Sequence, residues 1–204
     1  MMTMTRTDVD PRTLDPQSML GRWQKFYQAQ NAAIGSGGAG GFIGEEVTYD
    51  IAVPFLDQPG LLEDWGCGLC WAKRYVHHAS YRGIDGTQTK FSDLVTDLRF
   101  YRPDPKPEFI LMRHVLEHNR QWRKVLQNAL DSFTRRMVLI IFTPFADQTH
   151  EIVFWPSMGV PDIGFKREDL TDLFTAAGCT FREESWDTNT QYQSETLFFL
   201  ERNG

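Results

Sequence analysis

The sequence has no apolar run near the roughly 20 residues that a membrane-crossing helix needs. Its first residues, MMTMTRTDVDPRTLDP, carry no apolar signal core, so neither a membrane partner nor secretion is expected. Cysteine is scarce: three in 204 residues, an odd number without metal-type pairing. That excludes a disulfide scaffold and fits reduced thiols in a cytoplasm. Cys67 and Cys70 do form C-x-x-C, but inside a glycine turn and with no second pair, which argues against a structural zinc site. No dense Lys/Arg tract occurs and the formal net charge is −6. Nucleic acid is therefore not an expected partner, because phosphate contacts demand a basic face. No internal repeat is present. A small molecule is the partner these absences leave, with oligomeric state, a homodimer included, left open.

The chain does have enough apolar residues for a full core: 41% hydrophobic and 13% aromatic, in a length that suits one domain. It is organised around Leu61 to Val76, LLEDWGCGLCWAKRYV. Leu61 and Leu62 open an apolar strand, Glu63 and Asp64 close it, and Gly66 and Gly68 make a turn. A helix is then predicted from Cys70, carrying Trp71, Tyr75 and Val76. Glycine lets backbone come close to a ligand because it has no Cβ. A dinucleotide-binding turn reads G-x-G-x-x-G, and counting from Gly66 its third glycine falls on Trp71, too large for close helix–strand packing. The pattern acidic-x-G-x-G-x-G fits Asp64-Trp65-Gly66-Cys67-Gly68-Leu69-Cys70 except at its last position. Tyr81 to Asp85 reads as a second strand ending in an acid near the offset that suits a ribose diol.

With these residues the chain resembles the class I S-adenosylmethionine (SAM)-dependent methyltransferases of small-molecule type. Two further stretches carry the resemblance. Asp97-Leu98, in a third strand region over Leu94 to Phe100, matches the pair that meets adenine in that family. FILMRHVLEH, Phe109 to His118, matches an apolar fourth strand running into a helix with the H-V-L-E-H string. The resemblance covers about residues 45 to 202. It implies a doubly wound, mostly parallel seven-stranded α/β sheet with helices on both faces and an antiparallel last strand. It also implies SAM as cofactor, bound by Asp64, Gly66, Gly68, Asp85, Asp97 and Leu98, with the Arg113 backbone beside the methionine part.

The rest of the chain fits that plan. Asp15-Pro16 starts a helix, with Met19, Trp23, Phe26, Tyr27, Gln30 and Ile34 at helical spacing. Gly35 to Gly41, GSGGAGG, is either a hinge for a lid over the cofactor or a plain linker. Residues 1–44 thus form an extension, and residues 45–204 the SAM-binding domain, which begins with a helix over Glu45 to Phe55. Gln121 to Phe133 is helical, Met137 to Phe142 is a fifth strand, and Asp169 to Ala177 is a helix closed by Gly178. Thr180 to Trp186 and Glu195 to Arg202 form an antiparallel edge pair. Thr143 to Phe165 shows no clear periodicity and reads as a long functional loop.

Methyl transfer to a hydroxyl, on a sugar or natural product, needs a base above the carboxyl ends of the fourth and fifth strands. His150 and His114 are the candidates, His150 first. Glu117 and His118 read as a helix-start network without a catalytic role. A divalent ion on Asp147, His150 and Glu151 is not predicted, a solvated loop face being the simpler reading. Two other functions remain open: a catalytically silent SAM-binding or scaffold protein, and a nicotinamide oxidoreductase.

Overall fold

The computed structural model describes residues 47–89, 91–156 and 158–202. The expected N-terminal helix and the glycine hinge lie outside them.

Strand alternation builds the core. In β4 (Phe109–Arg113), Ile110 and Met112 face one side of the sheet while Phe109 and Leu111 face the other. In β5 (Arg136–Ile141) the same split puts Met137, Leu139 and Ile141 opposite Val138 and Ile140. Both strands are apolar throughout because both faces are covered. One face is packed by α2 (Trp122–Ser132) and α3 (Arg167–Ala176), through Trp122, Val125, Leu126, Leu130, Leu170 and Phe174. The other is packed by α1 (Val47–Leu56), through Tyr49, Ala52, Val53 and Leu56.

The main sheet has seven strands in the order β3-β2-β1-β4-β5-β9-β8. The strands β1 (Leu61–Trp65), β2 (Ser80–Asp85), β3 (Leu94–Val95), β4 and β5 are parallel. The last strand, β9 (Ser194–Arg202), enters antiparallel between β5 and β8 (Cys179–Asp187). Strand order reverses between β1 and β4, which opens the crevice where doubly wound sheets bind ligands. The doubly wound sheet is as the sequence implies. Gly178, at φ +73°, closes α3 as expected.

Three local expectations are corrected. The helix after the glycine turn is a single 3-10 turn, Trp71–Tyr75. Between Trp65 and Ser80 the chain must make the glycine turn and return to a parallel strand, which leaves no length for a full helix. The Asp57 carboxylate takes up the His77, His78 and Ala79 N–H groups and ends the turn. The third strand is only two residues long, so Asp97 lies beyond it in a turn, where its carbonyl accepts from Phe100 and Tyr101 N–H. The stretch without periodicity is a hairpin, β6 (His150–Trp155) with β7 (Val160–Gly164), turned at Gly159 with φ +73°. A bulge between Glu151 and Val153 breaks its alternation, which removes the pattern a sequence reading relies on.

Candidate active site

The crevice has two walls. The β1 wall is the glycine turn. Gly66 and Cys67 N–H both donate to Ile84 O, and Gly68 N–H donates to Asp85 Oδ2 at 2.9 Å. Gly66 has φ +80°, and a Cβ there would fall 2.3 Å from Val115 Cγ2. Gly68 has φ +50°, and Cys70 adopts φ +55° where the resembled motif has its last glycine. A non-glycine residue pays to sit there. Both cysteine sulfurs fill the space left by Gly83, whose Cβ would meet Cys70 Sγ at 2.6 Å and Cys67 Sγ at 3.1 Å. The free thiols are therefore packing groups, and a hydrogen bond with Cys70 together with burial pushes the Cys67 thiol far up.

Two buried carboxylates back this turn. Asp64 accepts from Tyr81 OH at 2.6 Å, and burial pushes its pKa up to about 7. Asp85 accepts from Gly68 and Thr87 N–H, and burial raises its pKa as well. Each carboxylate oxygen keeps lone-pair capacity beyond these bonds. Asp97 is held differently: burial would raise its pKa, but a two-pronged pair with Arg99 outweighs that and lowers it. Leu98 is buried, and its carbonyl accepts from Asn128 Nδ2 at 2.8 Å.

The β4 wall begins at Arg113. Its backbone ends the strand, while its guanidinium turns to Glu195 and lies 4.9 Å from the Tyr49 ring centroid. His114 follows with φ +55°, a strained conformation for a residue with a Cβ and one that tends to mark functional sites. Its Nε2 lies 2.8 Å from Glu195 Oε1 but without the alignment of a full hydrogen bond. Its ring is 4.6 Å from that of Phe142, the residue after β5. Burial and the Arg113 charge push the imidazole pKa down to about 4, so it is neutral near pH 7. Burial would raise the Glu195 pKa, but His114 and Arg113 hold it near about 2.

A second cluster sits on the far side of Phe142. His118 Nδ1 is 3.0 Å from Pro161 O and 3.3 Å from Asp162 Oδ1. Asp162 also accepts from Trp155 Nε1 at 2.9 Å and Tyr192 OH at 3.1 Å. Burial favours neutral His118, yet Asp162 wins and raises its pKa. Glu117 accepts from Phe142 N–H at 2.8 Å, and burial pushes its pKa up to about 7. Glu117 and His118 form a local network, but at a three-residue 3-10 turn, Leu116–His118, in place of the helix expected over H-V-L-E-H, and α2 starts only at Trp122; His118 also pins the β6–β7 hairpin.

The structure brings Asp64, Gly66, Gly68 and Asp85 together, and sets Arg113 and His114 across from them. It does not bring His150 there. That side chain is exposed at the first residue of β6, with Nδ1 2.8 Å from Gln148 O. Among the described residues no cluster of three or more His, Cys, Asp or Glu is placed to hold a metal ion. No described helix is long and apolar enough to cross a membrane. Sequence reasoning missed Glu195, Asp162 and Tyr192 as site residues. Nothing local to them signals a site, since each acquires its partners only through strands that arrive late in the chain.

No protein-family model matches the sequence, and no curated protein matches it. Solved structures do. Burkholderia thailandensis 1,6-didemethyltoxoflavin-N1-methyltransferase, with 1,6-didemethyltoxoflavin and S-adenosylhomocysteine bound, superposes with TM-score 0.64 at 12% identity, over 96% of this chain and 93% of that one. Synechocystis magnesium protoporphyrin IX methyltransferase with bound SAM gives 0.60 at 15% identity, over 98% and 100%. The cyclase SpnF gives 0.56 at 13% identity, over 77% and 80%. The fold is that of the class I SAM-dependent methyltransferases, matched over nearly the whole chain.

Proposed function

We propose that the protein is a SAM-dependent methyltransferase acting on a small polar molecule, with a hydroxyl as the methyl acceptor. The observation that carries this reading is the crevice at the strand-order reversal. Buried acids and a glycine turn stand on its β1 wall, and a strained, neutral histidine stands on its β4 wall. The residues fit the cofactor: Asp85 has lone pairs for a ribose diol, Asp64 has one for the methionine ammonium, and the Arg113 backbone borders the crevice. Leu98 offers apolar surface to adenine, while Asp97 reaches it only by sharing its carboxylate with Arg99.

When bound, SAM supplies a methyl group on a sulfonium sulfur, which leaves as a neutral thioether. The chain's own residues then have to align the acceptor and exclude water. Phe142 and Tyr192, with ring centroids 5.7 Å apart and planes inclined by 39°, offer an acceptor aromatic contact beyond the ends of β4 and β5. As the O–C bond forms and the C–S bond breaks, the acceptor's proton departs, and His114 is the neutral imidazole beside that space. Its position favours it over His150. An amine acceptor, in line with the N1-methyltransferase among the similar structures, and a carboxyl acceptor are the competing substrates for the same crevice.

Titration calorimetry with S-adenosylhomocysteine tests the reading. One site per chain is expected, and Asp85→Ala should weaken it by about 1–3 kcal/mol, the usual cost of lost bonds to a charged group. No heat at high ligand concentration rejects it, and heat with NADH would favour an oxidoreductase. A second reading draws on the cyclase neighbour: a SAM-type fold serving another reaction, or none. Cofactor binding without methyl transfer to any hydroxyl or amine would support it.

A further inference from the structure

We infer that Glu195 is the positioning residue of the acceptor site: it fixes the tautomer of His114 so that the site takes a protic acceptor, a hydroxyl or an amine, and not a carboxylate. The inference rests on the methyltransferase reading and deepens it.

Glu195 is the second residue of β9 and is 1% exposed. The pairing of Thr196 with Ile141 sets it beside the carboxyl end of β5, level with the crevice. Its carboxylate is ionised and already neutralised by the buried Arg113 guanidinium. An anion can only accept, so the ring's one hydrogen sits on the His114 nitrogen 2.8 Å away at lower electrostatic cost than a lone pair would, and a small rotation of the ring would align that N–H with Glu195 Oε1. That nitrogen is Nε2. The other nitrogen, Nδ1, is then a bare lone pair, and it has no hydrogen-bond partner among the described residues.

The tautomer decides the substrate class. A lone pair accepts an O–H or N–H, so a hydroxyl or amine is drawn with its hydrogen on His114 and its own lone pair turned away, free to meet the methyl group. A carboxylate has no hydrogen to offer and would set lone pair against lone pair. Backbone strain points the same way. His114 holds φ +55°, and the ion pair just before it fixes the chain there. Glu195 thus ties down two successive residues of the β4 end.

The test is nitrogen NMR of the imidazoles in the full-length chain saturated with S-adenosylhomocysteine. His114 should show a protonated Nε2 and a bare Nδ1 at pH 7. Glu195→Gln should move both signals toward the averaged values of a free imidazole, and Glu195→Asp should restore them in part. Phenol, as a protic probe, should shift the Nδ1 signal, and benzoate at the same concentration should not. A protonated Nδ1 in the wild-type chain overturns the proposal, and needs no variant to fold. Signals unmoved by Glu195→Gln overturn it as well, as does a benzoate shift equal to that of phenol or the absence of a shift with either. Failure of the chain to bind S-adenosylhomocysteine strikes the methyltransferase reading instead, and the ligand-free tautomer still decides the role of Glu195.

Discussion

Arg113 and Glu195, 82 residues apart in the chain, form an ion pair with both partners buried. Taking both charges out of water costs several kcal/mol per ion, and the pair recovers this only while it is intact. The Tyr49 ring packs over the guanidinium from α1, so three separated segments meet at this point.

Glu195→Ala should therefore lower unfolding free energy by about 3–5 kcal/mol, since it leaves a buried guanidinium without its counter-charge. The double variant Arg113→Met/Glu195→Leu should lose clearly less than Glu195→Ala alone. Urea melts of the three chains check this. Equal losses for single and double variants would mean that shape, and not charge pairing, sets the cost.

At the glycine turn, Gly66→Ala should disrupt cofactor binding and stability together. The new methyl would fall 2.3 Å from Val115 Cγ2, and φ +80° is unfavourable for any residue with a Cβ. Gly66→Ala/Val115→Ala should recover part of the melting temperature by removing the clash. The backbone strain of about 1–2 kcal/mol should remain. Full recovery would show that φ contributes nothing.

Asp64 gives a pH prediction whose sign follows from its raised pKa. Its folded value is about 7 against an ordinary 3.8. Between those values the folded state keeps a proton that the unfolded chain has lost, so stability from this group declines as pH rises from about 4 through 7. Asp64→Asn, which still accepts from Tyr81, should be the relatively more stable chain at pH 8 and should lose that advantage at pH 4. The difference should approach about 4 kcal/mol, the linkage value of a rise from 3.8 to about 7. A pH-independent difference would place the Asp64 proton elsewhere.

His150 and Asp162 make a contrasting pair on the same hairpin. His150→Ala removes an exposed side chain and should change stability by less than about 0.5 kcal/mol, leaving cofactor affinity and methyl transfer intact. Asp162→Ala removes the acceptor shared by Trp155 and Tyr192 and the partner of His118. It should raise hydrogen exchange across residues 150–164 and lower the His118 pKa. Loss of methyl transfer in His150→Ala with normal transfer in His114→Ala would return the base role to His150.

Periodicity, the glycine turn and the family resemblance carried by the Leu61–Val76 and Phe109–His118 stretches made the doubly wound sheet legible in the sequence. A six-residue, partly β-branched apolar run such as MVLIIF is too short for a buried helix and suits a strand covered on both faces, and Gly66 and Gly68 mark a turn where backbone passes closely. The acids at the ends of β1 and β2 were legible for the same reason, because a strand's end is fixed by local pattern and the ligand crevice lies at that end. The short 3-10 turn after the glycines was not legible, since crossover length and the Asp57 cap overrode helical spacing. Nor was the hairpin, whose bulge erased the alternation. On the β4 wall, Arg113 and His114 were legible as candidates, but the partner that holds them was decided by tertiary structure alone. His114 is neutral through burial and the Arg113 charge, and it acquires its partner from the antiparallel insertion of β9 beside β5, which delivers Glu195 from 81 residues away. A charge pair across that distance leaves no local pattern, because its energy arises only when both groups are buried together.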